Sequence, residues 1–208
     1  LLRHSKATGC FYVESPAMRM LLEKLKCDDY LTLVAASSII RPGVASSGMM
    51  QEYIKRFHMT RNGIRYESIH PVMDELMADT FGVMVYQEDV IKVAHHFGKL
   101  SLTESDVLRR GMSGKYRSRE EFQRVKDKFF ENCKTLYPQP ITDRVWYEIE
   151  SFAGYSFAKG HSASYAVESY QSLFLKAHYP LEFMVGVINN FGGFYRTEFY
   201  FHEHNELQ

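Results

Sequence analysis

The chain has few of the residues that staple or anchor a protein. It holds three cysteines in 208 residues, Cys10, Cys27 and Cys133, odd in number, far apart and without a Cys-x-x-Cys pair. That excludes a disulfide framework and a zinc-ribbon reading, and it fits a reducing, cytoplasmic setting. No apolar run approaches the roughly 18 residues that a bilayer crossing needs, so no membrane partner is expected. Neither sign of charge is in excess: 25 Lys and Arg balance 25 Asp and Glu. A free-standing helical nucleic-acid binder is disfavoured on that count, and any anion-binding surface has to be local. The Walker and dinucleotide glycine patterns are missing, as are the Gly-x-Ser-x-Gly elbow and His-Glu-x-x-His. So is the Asp-x-Asp pair that would hold two magnesium ions. His95-His96 and His202-Glu203-His204 do not have metal-ligand spacing and read as structural or exposed histidines. No initiating methionine or signal peptide opens the chain, which leads us to expect an internal piece of a longer polypeptide.

What is present is apolar material for a core, 45% hydrophobic and 14% aromatic, and a helical period along most of the chain. Ser15-Pro16 reads as an N-cap followed by proline at the first helical position, with Met18, Leu21, Leu22 and Leu25 on one face. Further helices are expected over 30–40, 47–58, 71–78 and 87–97, and from capping boxes at Thr103/Asp106 and Ser118/Glu121, the second running to about 136. Thr142 opens another, broken by the 154–160 region, before helices over 162–178 and 180–190 and a final aromatic run. Two short strands are expected, at 9–14 and 82–86. The fold class is therefore mainly α, many helices with one or two short strands. No internal repeat or low-complexity linker interrupts it.

Three stretches could carry chemistry. Residues 107–128 hold eight basic side chains against three acidic ones, net +5 in a neutral chain. There Arg109 and Arg110 precede a turn with Gly111 and Gly114, then Lys115. Arginine forks match phosphate oxygens in pairs, and glycine lets backbone amides approach an anion. A solvated helix face is the equally balanced alternative. In the second stretch, 152–166, Lys159 and His161 sit in a loop feeding a helix that starts at Ser162. Tyr165 follows on that helix and could offer a flat ring to a base. The plainer reading makes Tyr155, Phe157 and Tyr165 core aromatics and His161 a structural hydrogen-bonder. The third, Arg41-Pro42-Gly43 with Ser46-Ser47-Gly48, is either a close-approach turn or an ordinary helix connection.

Taken in order, the segments GCFYVESPAMRMLLEKLK (9–26), IIRPGVASSGMM (39–50), FGVMVYQEDVIKVA (81–94), DVLRRGMSGK (106–115) and FAGYSFAKGHSASYAVESYQSLFLKAHYPLEFM (152–184) resemble the C-family replicative polymerases, and within them the alpha subunit of bacterial DNA polymerase III. Two positions depart from the family's usual pattern. Val44 stands where Arg-Pro-Gly is often followed by proline, and Lys115-Tyr116-Arg117 stands where two lysines are common.

The resemblance implies a multi-helix fingers region over residues 1–190, with 1–14 a candidate edge of the palm and 191–208 the start of the next segment. It implies a DNA-directed DNA polymerase whose Mg2+-binding aspartates lie outside this chain, so that the chain alone is inactive and holds neither catalytic nor metal-binding residues. Its partners would be DNA primer-template and dNTP, with replicase subunits such as the sliding clamp meeting other regions. By position, Arg109, Arg110 and Lys115 become triphosphate-side cations. Lys159 and His161 belong to the nucleotide pocket, Tyr165 lies against the nascent pair, and Arg41 is near nucleotide or template. A structural or protein-interaction domain is the remaining alternative.

Overall fold

The computed structural model describes residues 1–41, 44, 47–112, 119–152 and 158–206, with the side chains of 112, 152 and 204–206 outside the description. The chain divides into two compact units, one of Leu1–Ile40 with Gly160–Gln208 and one of Arg41–Lys159.

The first unit opens with a 3-10 turn, Leu2–His4, and a loop to residue 15. Helix α1 (Pro16–Leu25) starts as its sequence predicts, with Ser15 Oγ accepting the Met18 N–H at 3.3 Å and Met18, Leu21, Leu22 and Leu25 buried. Helix α2 (Tyr30–Ile39) is capped by Asp29, which accepts from the Thr32 N–H at 2.8 Å, and every residue from Thr32 onward is buried. A helix apolar on all sides belongs inside. The unit is completed by three helices near the end of the chain.

The 9–14 stretch is not a strand. Gly9 and Tyr12 both have positive φ, 79° and 63°, which turns the chain twice. Its backbone groups are satisfied by one face of a helix instead of a neighbouring strand. Ser169 Oγ donates to the Phe11 carbonyl at 2.9 Å, Ser172 Oγ accepts the Phe11 N–H at 3.2 Å, and Lys176 Nζ donates to the Thr8 carbonyl at 2.8 Å.

The second unit contains α3 (Met49–Arg61), α4 (Pro71–Leu76) and α5 (Gln87–Lys92), which runs on into a π turn over Val93–Phe97. Helices α6 (Leu102–Met112), α7 (Arg119–Lys134) and α8 (Gln139–Phe152) follow. Its core is aromatic: Phe97 stacks on Tyr137 at 4.0 Å, and Trp146 meets Phe129 at 5.3 Å.

The 82–86 stretch is extended and buried but pairs with no strand. Thr80 Oγ1 donates to the Val83 carbonyl at 2.7 Å, and the Asp89 carboxylate accepts the Val85 N–H at 2.9 Å. Among the described residues there is thus no strand, which corrects the expectation of one or two.

Helix starts also move: α8 begins at Gln139 and not at Thr142. The capping box of α6 is Ser101/Glu104, reciprocal at 2.9 and 3.2 Å, two residues before the Thr103/Asp106 pair. A side-chain bond from Lys128, with help from the Ser101 amide, holds the Glu104 carboxyl at about 2. Ser118, expected to cap α7, lies outside the described residues.

Helix α9 (Lys159–His178) begins three residues before Ser162, α10 is Pro180–Asn189, and the final aromatic run forms α11 (Thr197–Glu206). Gly160, expected within a helix break, is helical; 153–157 lie outside the described residues. The three cysteines are buried and none is in a disulfide, and burial pushes the Cys10 thiol up to about 12 and that of Cys133 to about 11. No helix of the described residues is long and apolar enough to cross a membrane.

Gly82 has φ +72°, and a Cβ there would press on Asp74 Oδ1 and the Arg56 guanidinium. Arg56 is 2% exposed and donates to Glu52 and to the Phe81 carbonyl. Gly82→Ala is therefore expected to lower unfolding free energy by about 2 kcal/mol or more in urea titrations.

Burial raises the Glu148 carboxyl to about 7, opposed by Arg56 and Arg144 and reinforced by Glu52. The folded chain then holds that proton more tightly than the unfolded chain does. The contribution to stability is complete below the ordinary glutamate pKa and is lost as pH rises through about 7. Glu148→Gln is expected to flatten the fall in melting temperature across that window.

Candidate functional site

The second unit's site is built on the turn that enters α5. Asp89 is 2% exposed, and its Oδ2 accepts the N–H groups of Val85 and Tyr86, both at 2.9 Å. Burial raises this carboxyl, and the two amides and Lys92 oppose the shift. The turn is therefore closed from within, and Tyr86, Gln87 and Glu88 make contacts with two other segments. Gln87 Oε1 accepts from Arg109 Nη1 at 3.3 Å. Glu88 accepts the Lys159 N–H with both oxygens, at 3.2 and 3.0 Å. The Tyr86 ring lies 5.5 Å from Lys159 Nζ, which also pairs with Asp79 at 3.2 Å. Burial, then Asp89, Asp79 and Glu88, raises the Tyr86 phenol, so it stays neutral.

Sequence reasoning selected Arg109 and Lys159 but not the residues that join them. The one available signal was the polar Tyr-Gln-Glu that follows the apolar run Val83-Met84-Val85. Asp106 was also missed in its actual role. Its Oδ1 accepts from Arg109 Nε at 2.8 Å and lies 2.7 Å from Nη2, and its Oδ2 lies 2.9 Å from Arg110 Nε as an ion pair. An acid three and four residues ahead of paired arginines on a helix is the pattern that would have revealed it. One carboxylate thus lies against both arginines. All three side chains are part-exposed, so these pairs contribute little to stability in water. Lys115 lies outside the described residues. Arg41, half-buried, is the first residue of this unit, and its neighbours Pro42, Gly43 and Ser46 lie outside the described residues as well.

In the first unit, His161 and Tyr165 stand on the opening turns of α9. Tyr165 meets Phe11 at 5.5 Å and Tyr12 at 4.9 Å, both edge-on, and His161 at 4.5 Å. The loop carrying Phe11 and Tyr12 is held on α9 by Ser169 and Ser172, so Tyr165 has a fixed aromatic surround. Lys159 and His161 belong to the helix itself and not to a preceding loop, and the Lys159 amide is already taken by Glu88. That corrects the expectation of a loop carrying Lys159 and His161 into a helix that starts at Ser162.

An apolar groove of about 960 Å³ runs between this loop and α10, lined by Phe11, Tyr12, Tyr179, Phe183 and Phe194. At its end the Glu14 carboxylate accepts from the Gly9 N–H, the Phe194 N–H and the Tyr200 hydroxyl.

Among the described residues, no three or more His, Cys, Asp or Glu side chains gather as metal ligands. His95 Nδ1 donates to the Leu100 carbonyl at 2.6 Å, and Glu203 pairs with the buried Lys176 at 2.7 Å, both structural uses.

The family described as the bacterial DNA polymerase III alpha subunit finger domain matches residues 1–136. Similar curated proteins carry the name DNA polymerase III subunit alpha. The one from Aquifex aeolicus (strain VF5) is 38% identical over 184 residues, covering 88% of this chain and 15% of the relative. That from Pseudomonas fluorescens is 36% identical over 196 residues, 91% and 16%. That from Escherichia coli (strain K12) is 36% identical over 192 residues, 90% and 16%. The chain belongs to the bacterial DNA polymerase III alpha subunit finger domain family. It spans about one-sixth of the length of these relatives.

The Lys159–Asp79 pair is solvent-exposed, with side chains 45% and 76% accessible. Lys159→Met is accordingly expected to change unfolding free energy by no more than about 0.5 kcal/mol. A larger loss on urea titration would mean that this lysine holds the fold together and does not await a ligand.

Proposed function

We propose that the chain is the part of a DNA-directed DNA polymerase that receives the incoming dNTP and lies against the primer-template. The observation that carries this reading is that the Arg109 side chain and the Lys159 main-chain amide, far apart in sequence, are bound by the adjacent residues Gln87 and Glu88. A triphosphate carries several negative charges, which one side chain cannot offset and one helix cannot surround. Arg109, Arg110, Lys115 and Lys159 supply the cations, and membership of the finger-domain family supports the coarser reading of a polymerase part.

In such a reaction the primer 3′-hydroxyl attacks the α-phosphorus and the bond to the β-phosphate breaks, releasing pyrophosphate. The work of these side chains is to hold the triphosphate and to offset charge as it moves to the leaving group. His161 borders the nucleotide, Tyr165 lies against the nascent pair, and Arg41 approaches nucleotide or template. The Mg2+ sites belong to the rest of the polypeptide, as do contacts with the sliding clamp and other replicase subunits. Residues 1–190 act as the fingers, and 191–208 begin the segment that follows.

In a polymerase polypeptide carrying this chain, Arg110→Ala is expected to lower kcat/KM for dNTP by ~10- to 150-fold, the scale of one lost charge-assisted hydrogen bond. A rise in KM alone means equal contact in ground and transition states; a fall in kcat means that the contact strengthens as pyrophosphate leaves. Unchanged kinetics would leave the basic segment a solvated surface.

A further inference from the structure

We infer that Tyr86, Gln87 and Glu88 form a positioning segment that holds the two cation-bearing segments, around Arg109 and Lys159, in a single arrangement. This rests on the nucleotide-binding reading above. Arg109 is gripped from two helices: Asp106 takes Nε and Nη2, and Gln87 takes Nη1. A guanidinium held on both edges keeps one orientation, which lowers the ordering cost when a phosphate arrives.

Glu88 acts on the main chain. The amide of a first helical residue has no partner within its helix, and a carboxylate is the charge that the positive end of a helix favours. Both Glu88 oxygens lie within 3.2 Å of the Lys159 nitrogen, so Glu88 fixes where α9 begins and where the Lys159 side chain departs. The ammonium itself goes to Asp79 and lies near the Tyr86 ring. The segment is firm because Asp89 binds the amides of Val85 and Tyr86 from inside.

Glu88 could act on an anionic ligand in two opposite ways. As a mere negative charge it would repel the triphosphate, and its removal would tighten binding. As a positioning residue it keeps Lys159 in place, and its removal weakens binding. The geometry points to positioning, since both oxygens address the amide.

The test is single-nucleotide incorporation by the full-length polymerase polypeptide that carries this chain. The variants are Gln87→Ala, Glu88→Ala, Glu88→Gln and Arg109→Ala, each with a thermal melt. Gln87→Ala and Glu88→Ala are expected to raise the dNTP KM by about tenfold, with kcat nearly unchanged and melting temperature close to wild type. Glu88→Gln keeps an oxygen for the Lys159 N–H and is expected to recover most of the loss. A KM for Glu88→Ala at or below wild type, or a Glu88→Gln variant as impaired as Glu88→Ala, overturns the proposal. Should Glu88→Ala not fold, Gln87→Ala decides: a wild-type KM overturns the proposal and a raised one supports it. Arg109→Ala separates the two readings. If it leaves KM unchanged, nucleotide binding itself is wrong; if it raises KM while Gln87→Ala and Glu88→Ala do not, only the positioning role fails.

Discussion

Placing a carboxylate in a protein interior costs several kcal/mol unless hydrogen bonds replace the lost water. Asp89 meets that condition with two amides of the turn just before it, and Lys92 reaches its other oxygen at 3.5 Å. The bonds are local, but much hangs on them. On one side of the turn Val83, Met84 and Val85 are buried, and beyond it Val93, Ala94 and Phe97 enter the aromatic core. Between them, Tyr86 to Glu88 reach the segments that carry Arg109 and Lys159. Core packing and the arrangement of charge in this unit thus share a single hinge of structure, and loosening Asp89 would disturb both.

The first unit solves a related problem differently. The loop over residues 8–14 has turned out of any strand, so its backbone needs partners. It finds them in Ser169, Ser172 and Lys176, which recur at helical spacing on one face of α9. Lys176, 4% exposed, completes its charge balance with Glu203 of α11. The same helix carries Tyr165, so the polar stripe that satisfies the loop also sets Phe11 and Tyr12 against that ring. A substitution in the stripe would be felt at the aromatic cluster.

Among the described residues, several cations are paired with carboxylates. Arg109 and Arg110 share Asp106, Lys159 pairs with Asp79, and Lys128 pairs with Glu104 at 2.7 Å. These pairs hold rotamers more than they hold the fold, since exposed ion pairs contribute little.

The mainly helical class was legible in the sequence because helix bonds are local. Spacing of Met18, Leu21, Leu22 and Leu25 and the Ser15-Pro16 start are properties of neighbouring residues, and α1 formed as they require. The segments quoted for the family resemblance were legible too, and with them Arg109 and Lys159 as candidates. Where partners are distant, the sequence by itself did not decide. An apolar run such as Val83-Met84-Val85 suits a buried strand or a buried coil equally, and the choice was made by Thr80 and Asp89. Thr103/Asp106 and Ser101/Glu104 fit one capping pattern, and the arginines' use of Asp106 accompanies the second. The start of α9 was set by Glu88, 71 residues away. Composition and period determined which segments become helices; tertiary structure decided which amide meets which carboxylate, because a hydrogen bond between remote residues exists only once the chain has brought them together.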